Sequence, residues 1–279
     1  TDLTGYTAEE AVGQTPRLLR SGRHDETFYR AMWESILGSG TWTGEIWNRR
    51  KNGEVYPEWL TVTAVEDGDG SVTNYVATMT DITGRKAAED EIKNLAFYDP
   101  LTQLPNRRLL MDRLHQALSR SDRNRRHGAL LFIDMDHFKT LNDTLGHDRG
   151  DLLLQQVAQR LSTCVRNNDT VARLGGDEFV VMLEDLGERA DEAAAQARTI
   201  AEKILAAFSQ PYLLADDHQH QSSGSIGVAP FCGLDPTANV LLTHADIAMY
   251  QAKAAGRNAL RFFEPGMRAA SAAATQAGH

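Results

Sequence analysis

The 279-residue chain contains little of what several classes of protein require. Its two cysteines, Cys164 and Cys232, lie far apart and match no metal-binding or redox spacing. This usage fits a reducing setting, so we expect a cytoplasmic location. No apolar run approaches the length of a membrane span, and no signal peptide opens the chain.

Positive charge is also scarce, because the chain has 29 Lys and Arg residues but 38 Asp and Glu residues, which gives a net charge of -9. Nucleic acids and membrane surfaces usually attract a basic patch, so neither is expected as a partner. The length suits two domains, and the hydrophobic share of 42% supports real cores. The chain starts abruptly and ends in a low-complexity tail at 266–279, which indicates a piece of a longer protein.

The first block, residues 1–83, predicts a few short helices followed by an antiparallel meander. Helices are indicated at 8–13 and 25–37, and Asp25 is the expected N-cap of the second. Strand-like runs follow at 42–49, 55–65 and 72–81. The turns between them contain Asn-Gly and Asp-Gly, which are strong hairpin signals.

A charged helical connector is predicted at 84–98, with Ala88, Ile92 and Leu95 near heptad spacing. This short seam fits a parallel coiled coil and a solvated spacer helix equally well. From residue 99 to about 265, helices alternate with strands and one hairpin, which predicts an α/β layered domain with a mixed sheet.

The hairpin centres on Arg173-Leu174-Gly175-Gly176-Asp177-Glu178-Phe179. Its two glycines permit positive φ at the tip and leave room for a phosphate against the backbone. Asp177 and Glu178 follow at once, and their side chains are expected to leave opposite faces of the strand. Taken alone, the stretch is more often a soluble turn, because turns rich in Gly and Asp are common.

Asp134 follows an apolar strand at 129–133, at a strand end where ligands collect in open α/β sheets. Together with Asp177 it can form a hard oxygen site of the kind that Mg²⁺ prefers. The alternative is that Asp134 or Asp136 caps the helix that follows.

Three further motifs have both a functional and a structural interpretation. Asn142 and Asp151 can together read guanine, although an acid in a first helical turn also favours the helix dipole. Lys253 and Arg257 can hold a triphosphate, although cations near a helix C-terminus are ordinary. Arg166-Asn167-Asn168-Asp169 is usually only a local ion pair.

In this order, the motifs of residues 95–265 closely resemble the GGDEF family of diguanylate cyclases. The match includes Asp-x-Leu-Thr-x-Leu-x-Asn-Arg from Asp99, with Gln103 where glycine is usual. The resemblance implies a palm-like nucleotide cyclase fold, with a central mixed, mostly antiparallel sheet flanked by helices. It also implies that a symmetric homodimer condenses two GTP into cyclic di-GMP and two pyrophosphates, with inhibition by product.

The resemblance further implies roles for the matching residues. The metal ligands for Mg²⁺ or Mn²⁺ would be Asp134, the Met135 carbonyl and Asp177, and the catalytic groups Asp177 and Glu178. The guanine would be read by Asn142 and Asp151. The phosphates would contact Gly175, Gly176, the backbone around His137, Phe138 and Lys139, and the side chains of Lys253 and Arg257. The inhibitory product site would be Arg166 with Asp169.

Residues 1–83 resemble the second half of a PAS sensor domain, with the two opening strands of the sheet missing. Trp42 to Gly53 looks like the PAS hairpin, and Asp81-Ile82-Thr83 like the terminal signature. Some PAS domains with this hairpin bind FAD, which would place Trp42 or Trp47, and Asn48, against a flavin. The alternative is that both tryptophans fill the core or an interface.

Two other functions remain open from the sequence. Residues 262–267 resemble the junction before a phosphodiesterase domain, so the GGDEF part is alternatively a catalytically silent GTP- or cyclic di-GMP-binding regulator of such a domain. The intact Gly-Gly-Asp-Glu-Phe favours catalysis. A third interpretation is a sensory and dimerisation module in which the PAS block is the working part.

Overall fold

The computed structural model describes residues 3–214 and 218–267, so the predicted tail lies outside the described residues from residue 268 onward. The chain forms two compact units that divide between Lys93 and Asn94. Among the helices of the described ranges, none is both long enough and apolar enough to cross a membrane.

The first unit is a helix packed on an antiparallel sheet, as its sequence predicts. Its elements are α1 (Ala8–Ala11), a 3-10 helix (Pro16–Leu19), α2 (Glu26–Ser39), β1 (Thr41–Arg49), β2 (Val55–Glu66) and β3 (Val72–Asp81). The strands form one sheet in the order β1-β2-β3. Asp25 caps α2 by accepting the Phe28 N–H at 2.9 Å. Met32 and Ile36 of α2 pack on Ile46, Leu60 and Val62 of the sheet.

The second unit contains the alternating helices and strands, and α3 leads into it from the first. The elements are α3 (Thr83–Phe97), α4 (Arg107–Asn124), β4 (Gly128–Met135), α5 (Phe138–Leu145), α6 (His147–Cys164), β5 (Thr170–Gly175), β6 (Glu178–Leu183), α7 (Ala190–Phe208), β7 (Tyr212–Leu214), β8 (His218–His220), β9 (Gly224–Phe231), α8 (Ala238–Ala254) and β10 (Leu260–Phe262).

A five-stranded sheet in the order β10-β9-β4-β6-β5 organises this unit. Only the pairing of β10 with β9 is parallel, which confirms the prediction of a mixed, mostly antiparallel sheet. All eight residues of β4 are buried, because β4 lies at the centre of the sheet with helices on both faces. The small β7–β8 hairpin was not predicted from the sequence, since its strands of three residues are too short to show a period.

Side chains of β4 alternate between two cores, as the pleat of a strand requires. Leu131 and Ile133 point into the core formed with α6 and α7. Leu130 and Phe132 point into the core formed with α4 and α8. The alternation assigns the next even-numbered residue, Asp134, to the face that carries α4 and α8.

Gly227 of β9 lets α8 lie directly against the sheet. A Cβ atom at this position would be 2.0 Å from the Ala245 carbonyl oxygen and 2.1 Å from the Met249 nitrogen. Both neighbours are helix backbone, so neither can move without displacing α8. A glycine inside a strand commonly marks such a close approach of a second backbone segment.

We expect Gly227→Ala to lower the free energy of unfolding of the second unit by at least about 2 kcal/mol, because β9 and α8 must separate. Urea denaturation followed by circular dichroism measures the change. Gly266→Ala is the control, since its added Cβ meets nothing within 4 Å and should change stability by less than about 0.5 kcal/mol. Equal stability of the two variants would contradict the close approach.

Candidate active site at the hairpin tip

The predicted hairpin is formed by β5 and β6, and its tip is bare backbone. Gly175 and Gly176 have φ values of 144° and 51°, so both occupy the region that favours glycine. Both are exposed, and a Cβ at either would have no neighbour within 4 Å. The predicted positive φ values are confirmed, and the amides at the tip are accessible to a ligand.

Acids from two distant segments meet below this tip. Asp134 and Glu178 are directly opposite each other in the antiparallel pairing of β4 with β6, so their side chains share one face of the sheet. The Met135 N–H donates to the Asp177 carbonyl oxygen at 3.3 Å, which fixes the tip beside the end of β4. Burial raises the pKa of Asp134 to about 6, and the negative charges of Asp177 and Glu178 act in the same direction.

Lys253 of α8 is the cation that offsets this negative charge. Its Nζ lies 2.7 Å from Asp134 Oδ1. That oxygen is buried, and the ammonium group lowers the pKa of Asp134 against the effect of burial. A carboxylate oxygen can accept more than one contact, so Asp134 retains an unused acceptor inside the protein.

This donor set fits a hard divalent cation. A buried carboxylate, a second acid at the tip and a backbone carbonyl provide the oxygen ligands that Mg²⁺ and Mn²⁺ prefer. Within the ranges that the structure describes, no three His, Cys, Asp or Glu side chains form a metal-binding group. A bound cation would thus draw further oxygens from water or from a phosphate, which is usual for Mg²⁺.

Glu178 is surrounded by charge of both signs. Burial raises its pKa, the charges of Asp246 and Asp177 raise it further, and Lys253 and Arg107 oppose the shift. The contribution of Asp246 was not predicted from the sequence. The available sequence signal was the spacing of Asp246 from Lys253, which follows seven residues later on the same face of α8.

The N-terminus of α5 is open, contrary to one expectation. Its N-cap is His137, with φ of 59° and no side-chain bond to the helix. The alternative in which Asp134 or Asp136 caps this helix is therefore wrong. No N-cap side chain bonds the first amides of α5, which include those of Phe138 and Lys139, and helix N-termini of this kind commonly bind anions.

Arg257 lies in a turn after the C-terminus of α8, where Gly256 is the C′ residue. The φ values of Gly256, Arg257 and Asn258 are 114°, 64° and 44°. The Arg257 side chain is exposed, and its backbone N–H donates to the Ala252 carbonyl oxygen at 3.2 Å. Lys253 belongs to the last turn of α8, and Arg257 lies in the turn that directly follows the helix.

Asn142 of α5 lies directly over Gly150 of α6. The Asn142 Oδ1 atom is buried and has no hydrogen-bond partner among the described residues, and a Cβ at Gly150 would come within 1.9 Å of it. The neighbouring Asp151 is exposed. Gly150 was missed by sequence reasoning, although a glycine inside a helix, where it costs stability, was an available signal.

A hydrogen-bonded ion pair connects residue 99 to the hairpin tip. Arg173 Nη1 lies 2.9 and 3.0 Å from the two carboxylate oxygens of Asp99. The same guanidinium donates to the Gly176 carbonyl oxygen through Nε at 3.0 Å and Nη2 at 2.7 Å. The burial that would raise the pKa of Asp99 is outweighed by bonds from Thr102 and Arg173, which lower it.

Arg166 and Asp169 form a turn before β5, and their contact is not the expected ion pair. Asp169 Oδ2 accepts the Arg166 backbone N–H at 2.9 Å, and Oδ1 accepts the Glu184 N–H at 3.3 Å. The Arg166 guanidinium is exposed. Asp169 also borders a groove of about 750 Å³ that Arg113 and Arg120 of α4 line.

In the first unit, Trp42 and Asn48 lie on one face of β1, and Trp47, the other residue suggested as a flavin contact, lies on the opposite face. Asn48 lines a cavity of about 830 Å³, and its Nδ2 donates to Glu58 Oε1 at 2.8 Å. Trp42 packs edge-on against Phe28, with ring centroids 5.9 Å apart. Trp47 alternates to the other face of β1, where the Arg23 guanidinium covers its ring at 4.0 Å.

Comparison with known proteins agrees with this geometry. Residues 96–259 match the family model described as "Diguanylate cyclase, GGDEF domain", which covers more than half of the chain. The chain belongs to the GGDEF family. Residues 1–84 match a PAS domain model, so the GGDEF domain follows an N-terminal PAS domain.

Two of the similar proteins are from Pseudomonas aeruginosa. The bifunctional diguanylate cyclase/cyclic di-GMP phosphodiesterase MucR is 47% identical over 187 residues, which are 67% of this chain and 26% of MucR. The diguanylate cyclase TpbB is 42% identical over 63% of this chain and 40% of its own length. The chain thus spans about a quarter to two fifths of these relatives.

A solved structure supports the fold of the GGDEF domain. The GGDEF domain of TpbB is 40% identical in sequence and superposes with a TM-score of 0.57. The match covers 61% of this chain and 96% of the solved one.

We expect Asp134→Asn to stabilise the metal-free GGDEF domain by roughly 1 to 3 kcal/mol at pH 8. The ordinary carboxyl pKa is 3.8 and the folded value is about 6, so ionising this group costs folding free energy. That cost grows from pH 4 to pH 6 and is then constant, because the folded state holds its proton more tightly than the unfolded state. Urea unfolding in EDTA at pH 8 and pH 4 measures it.

The gain should shrink as the pH falls through 6 and be close to zero at pH 4, where Asp134 is itself protonated. Glu202→Gln, which changes an exposed acid on α7, is the matched control and should alter neither value. A destabilised Asp134→Asn at pH 8 would contradict the unfavourable burial of this carboxylate.

Proposed function

We propose that this chain is a diguanylate cyclase, which condenses two GTP molecules into cyclic di-GMP with release of two pyrophosphates. The observation that carries the proposal is the meeting of Asp134, Asp177 and Glu178 beneath a bare Gly-Gly tip, with Lys253 beside them. The relatives MucR and TpbB are named for this activity.

In this proposal, Asp134, the Met135 carbonyl and Asp177 hold Mg²⁺ or Mn²⁺. The bound ion would neutralise phosphate charge and polarise the α-phosphate during the transfer. Glu178 helps to remove the proton from the attacking 3′-hydroxyl, and its raised pKa makes it a better proton acceptor than an ordinary carboxylate. Phosphoryl-type transfer depends mainly on positioning and charge neutralisation, which this cluster can provide.

The remaining predicted residues bind the substrate. Guanine would be read by Asn142 and Asp151, which lie close together because Asn142 packs on Gly150, the residue before the exposed Asp151. The phosphates would contact the amides of Gly175, Gly176 and the backbone at His137, Phe138 and Lys139, together with Lys253 and Arg257. The exposed tip and the open N-terminus of α5 support that assignment.

Each domain binds one GTP in this mechanism, so two chains must face each other as a homodimer. The exposed fractions of Ile92 and Leu95 on α3 are 66% and 61%, and such apolar side chains at near-heptad spacing suit a parallel helix pair. The PAS domain would act by changing how two GGDEF domains meet. Cyclic di-GMP bound at Arg166 and Asp169 would inhibit the enzyme.

The second candidate function is a regulatory domain that binds GTP or cyclic di-GMP and controls a downstream phosphodiesterase domain. The specific observation in its favour is the name of MucR, which combines a cyclase with a phosphodiesterase. Flavin binding by the PAS domain stays a prediction. The Asn48 amide already bonded to Glu58 does not favour it.

We expect Asp177→Ala and Glu178→Ala each to lower cyclic di-GMP synthesis from GTP and Mg²⁺ by at least about 100-fold, because the first removes a proposed metal ligand and the second the proposed proton acceptor. Product chromatography measures synthesis, and circular dichroism checks the fold. Glu202→Ala, on the far helix α7, is the control and should retain full activity. Normal turnover by either site variant would refute the assignment.

Incubation of the wild-type protein with GTP and Mg²⁺ also distinguishes the two candidate functions. Formation of cyclic di-GMP identifies a cyclase, whereas GTP binding without product identifies a regulator.

Specific activity should rise with protein concentration across the range in which the dimer forms, since both active sites contribute to one product. Turnover and sedimentation velocity on the same samples measure the two quantities, and the activity should follow the dimer fraction. A constant specific activity in samples that pass from monomer to dimer would count against the two-domain mechanism.

A further inference from the structure

Asp136 is a buried acid that none of the assigned roles uses. Only 5% of the residue is exposed, although it lies next to the Met135 carbonyl and the open end of α5. Its carboxylate accepts three hydrogen bonds: from Ser225 Oγ at 2.8 Å to Oδ1, and from Ser223 Oγ at 2.7 Å and Asn258 N at 3.0 Å to Oδ2. All three donors are neutral, so the bonds, not an ion pair, satisfy this charge.

These bonds connect three separate pieces of the site. Ser223 directly precedes β9 and Ser225 lies at its start, and the Asp136 N–H also donates to the Ser223 carbonyl oxygen at 2.9 Å. Asn258 belongs to the turn after α8. Asp136 itself joins the end of β4 to the first residues of α5. One carboxylate therefore fixes the phosphate-facing loop and the exit of α8 in a single arrangement.

The turn after α8 needs such a fixed point. Gly256, Arg257 and Asn258 all have positive φ, which is an uncommon conformation for two consecutive residues with side chains. Within the turn, the Arg257 N–H donates to Ala252. The Asn258 N–H has Asp136 as its partner, so this bond holds the far side of the turn that presents Arg257.

We propose that Asp136 is a positioning residue that sets the orientation of Arg257 toward the substrate phosphates. It acts through the Asn258 amide and touches neither the phosphates nor the metal. This inference rests on the proposed function, because it assigns Asp136 to the triphosphate part of that site.

The test is a double-mutant cycle with Arg257. Affinity for a non-hydrolysable GTP analogue with Mg²⁺, measured by calorimetry, should fall at least about 10-fold in Asp136→Asn, whose amide cannot accept all three bonds. In an Arg257→Ala background the same change should alter affinity less than about 2-fold, since the group being positioned is absent. Affinity for guanosine, which has no phosphate, should be the same with and without Asp136→Asn.

Hydrogen exchange at the Asn258 amide gives a second readout that requires no nucleotide. The amide should be protected in the wild type and exchange faster in Asp136→Asn. Ser223→Ala is the milder variant, which should weaken analogue binding less but in the same direction. Ser222→Ala is the matched control for Ser223→Ala. The Ser222 hydroxyl is not one of the donors to Asp136, so this variant should behave as wild type.

Additive losses in the cycle, or an equal loss of guanosine binding, would overturn the positioning role and show a general structural one. Faster exchange at Asn258 with unchanged analogue binding would overturn it too, while leaving the cyclase proposal intact. A wild-type protein that binds no analogue would refute the proposed function, and the positioning role with it.

Discussion

The carboxylate of Asp134, at the buried end of the central strand, is the constraint on which the rest of the site depends. The sheet holds this group where water cannot fully solvate it, and burial and two nearby acids oppose its charge. Lys253 offsets part of that cost from α8. The close packing of α8 on β9 at Gly227 therefore also brings the compensating cation within reach.

The same arrangement explains why stability and chemistry oppose each other here. A neutral residue at the end of β4 would suit the fold better than an acid, yet an acid with an unused acceptor is what a divalent cation requires. Functional sites commonly retain such locally unfavourable groups, and the surrounding core provides the stability that tolerates them.

Much of this architecture could be predicted from the sequence, because the signals were local. The apolar run of β4, the Gly-Gly turn and the N-cap Asp25 each follow from neighbouring residues alone. The pairing of Asp134 with Glu178 could not be derived in that way, since it depends on the register between strands that are more than 40 residues apart. The position of Asp134 at a strand end suggested a site shared with Asp177, but it did not indicate that Glu178 is the residue opposite Asp134.

Asp136 shows the limit of local reasoning most clearly. Its position before a helix predicted a cap, but its three hydrogen-bond donors lie 87 or more residues later in the chain. The ion pair of Arg173 with Asp99 likewise joins residues 74 positions apart. Long-range polar contacts of this kind have no periodic signature, so only the folded structure reveals them.

The contact between Gly150 and Asn142 affects how related sequences should be judged. Any side chain at position 150 would push the Asn142 amide aside while every residue of the recognised motifs stayed in place. A relative with an intact Gly-Gly-Asp-Glu-Phe but a bulkier residue here would keep its acids, while the amide that we propose to read the base would be displaced. Inspection of the signature alone would count such a protein among the active enzymes.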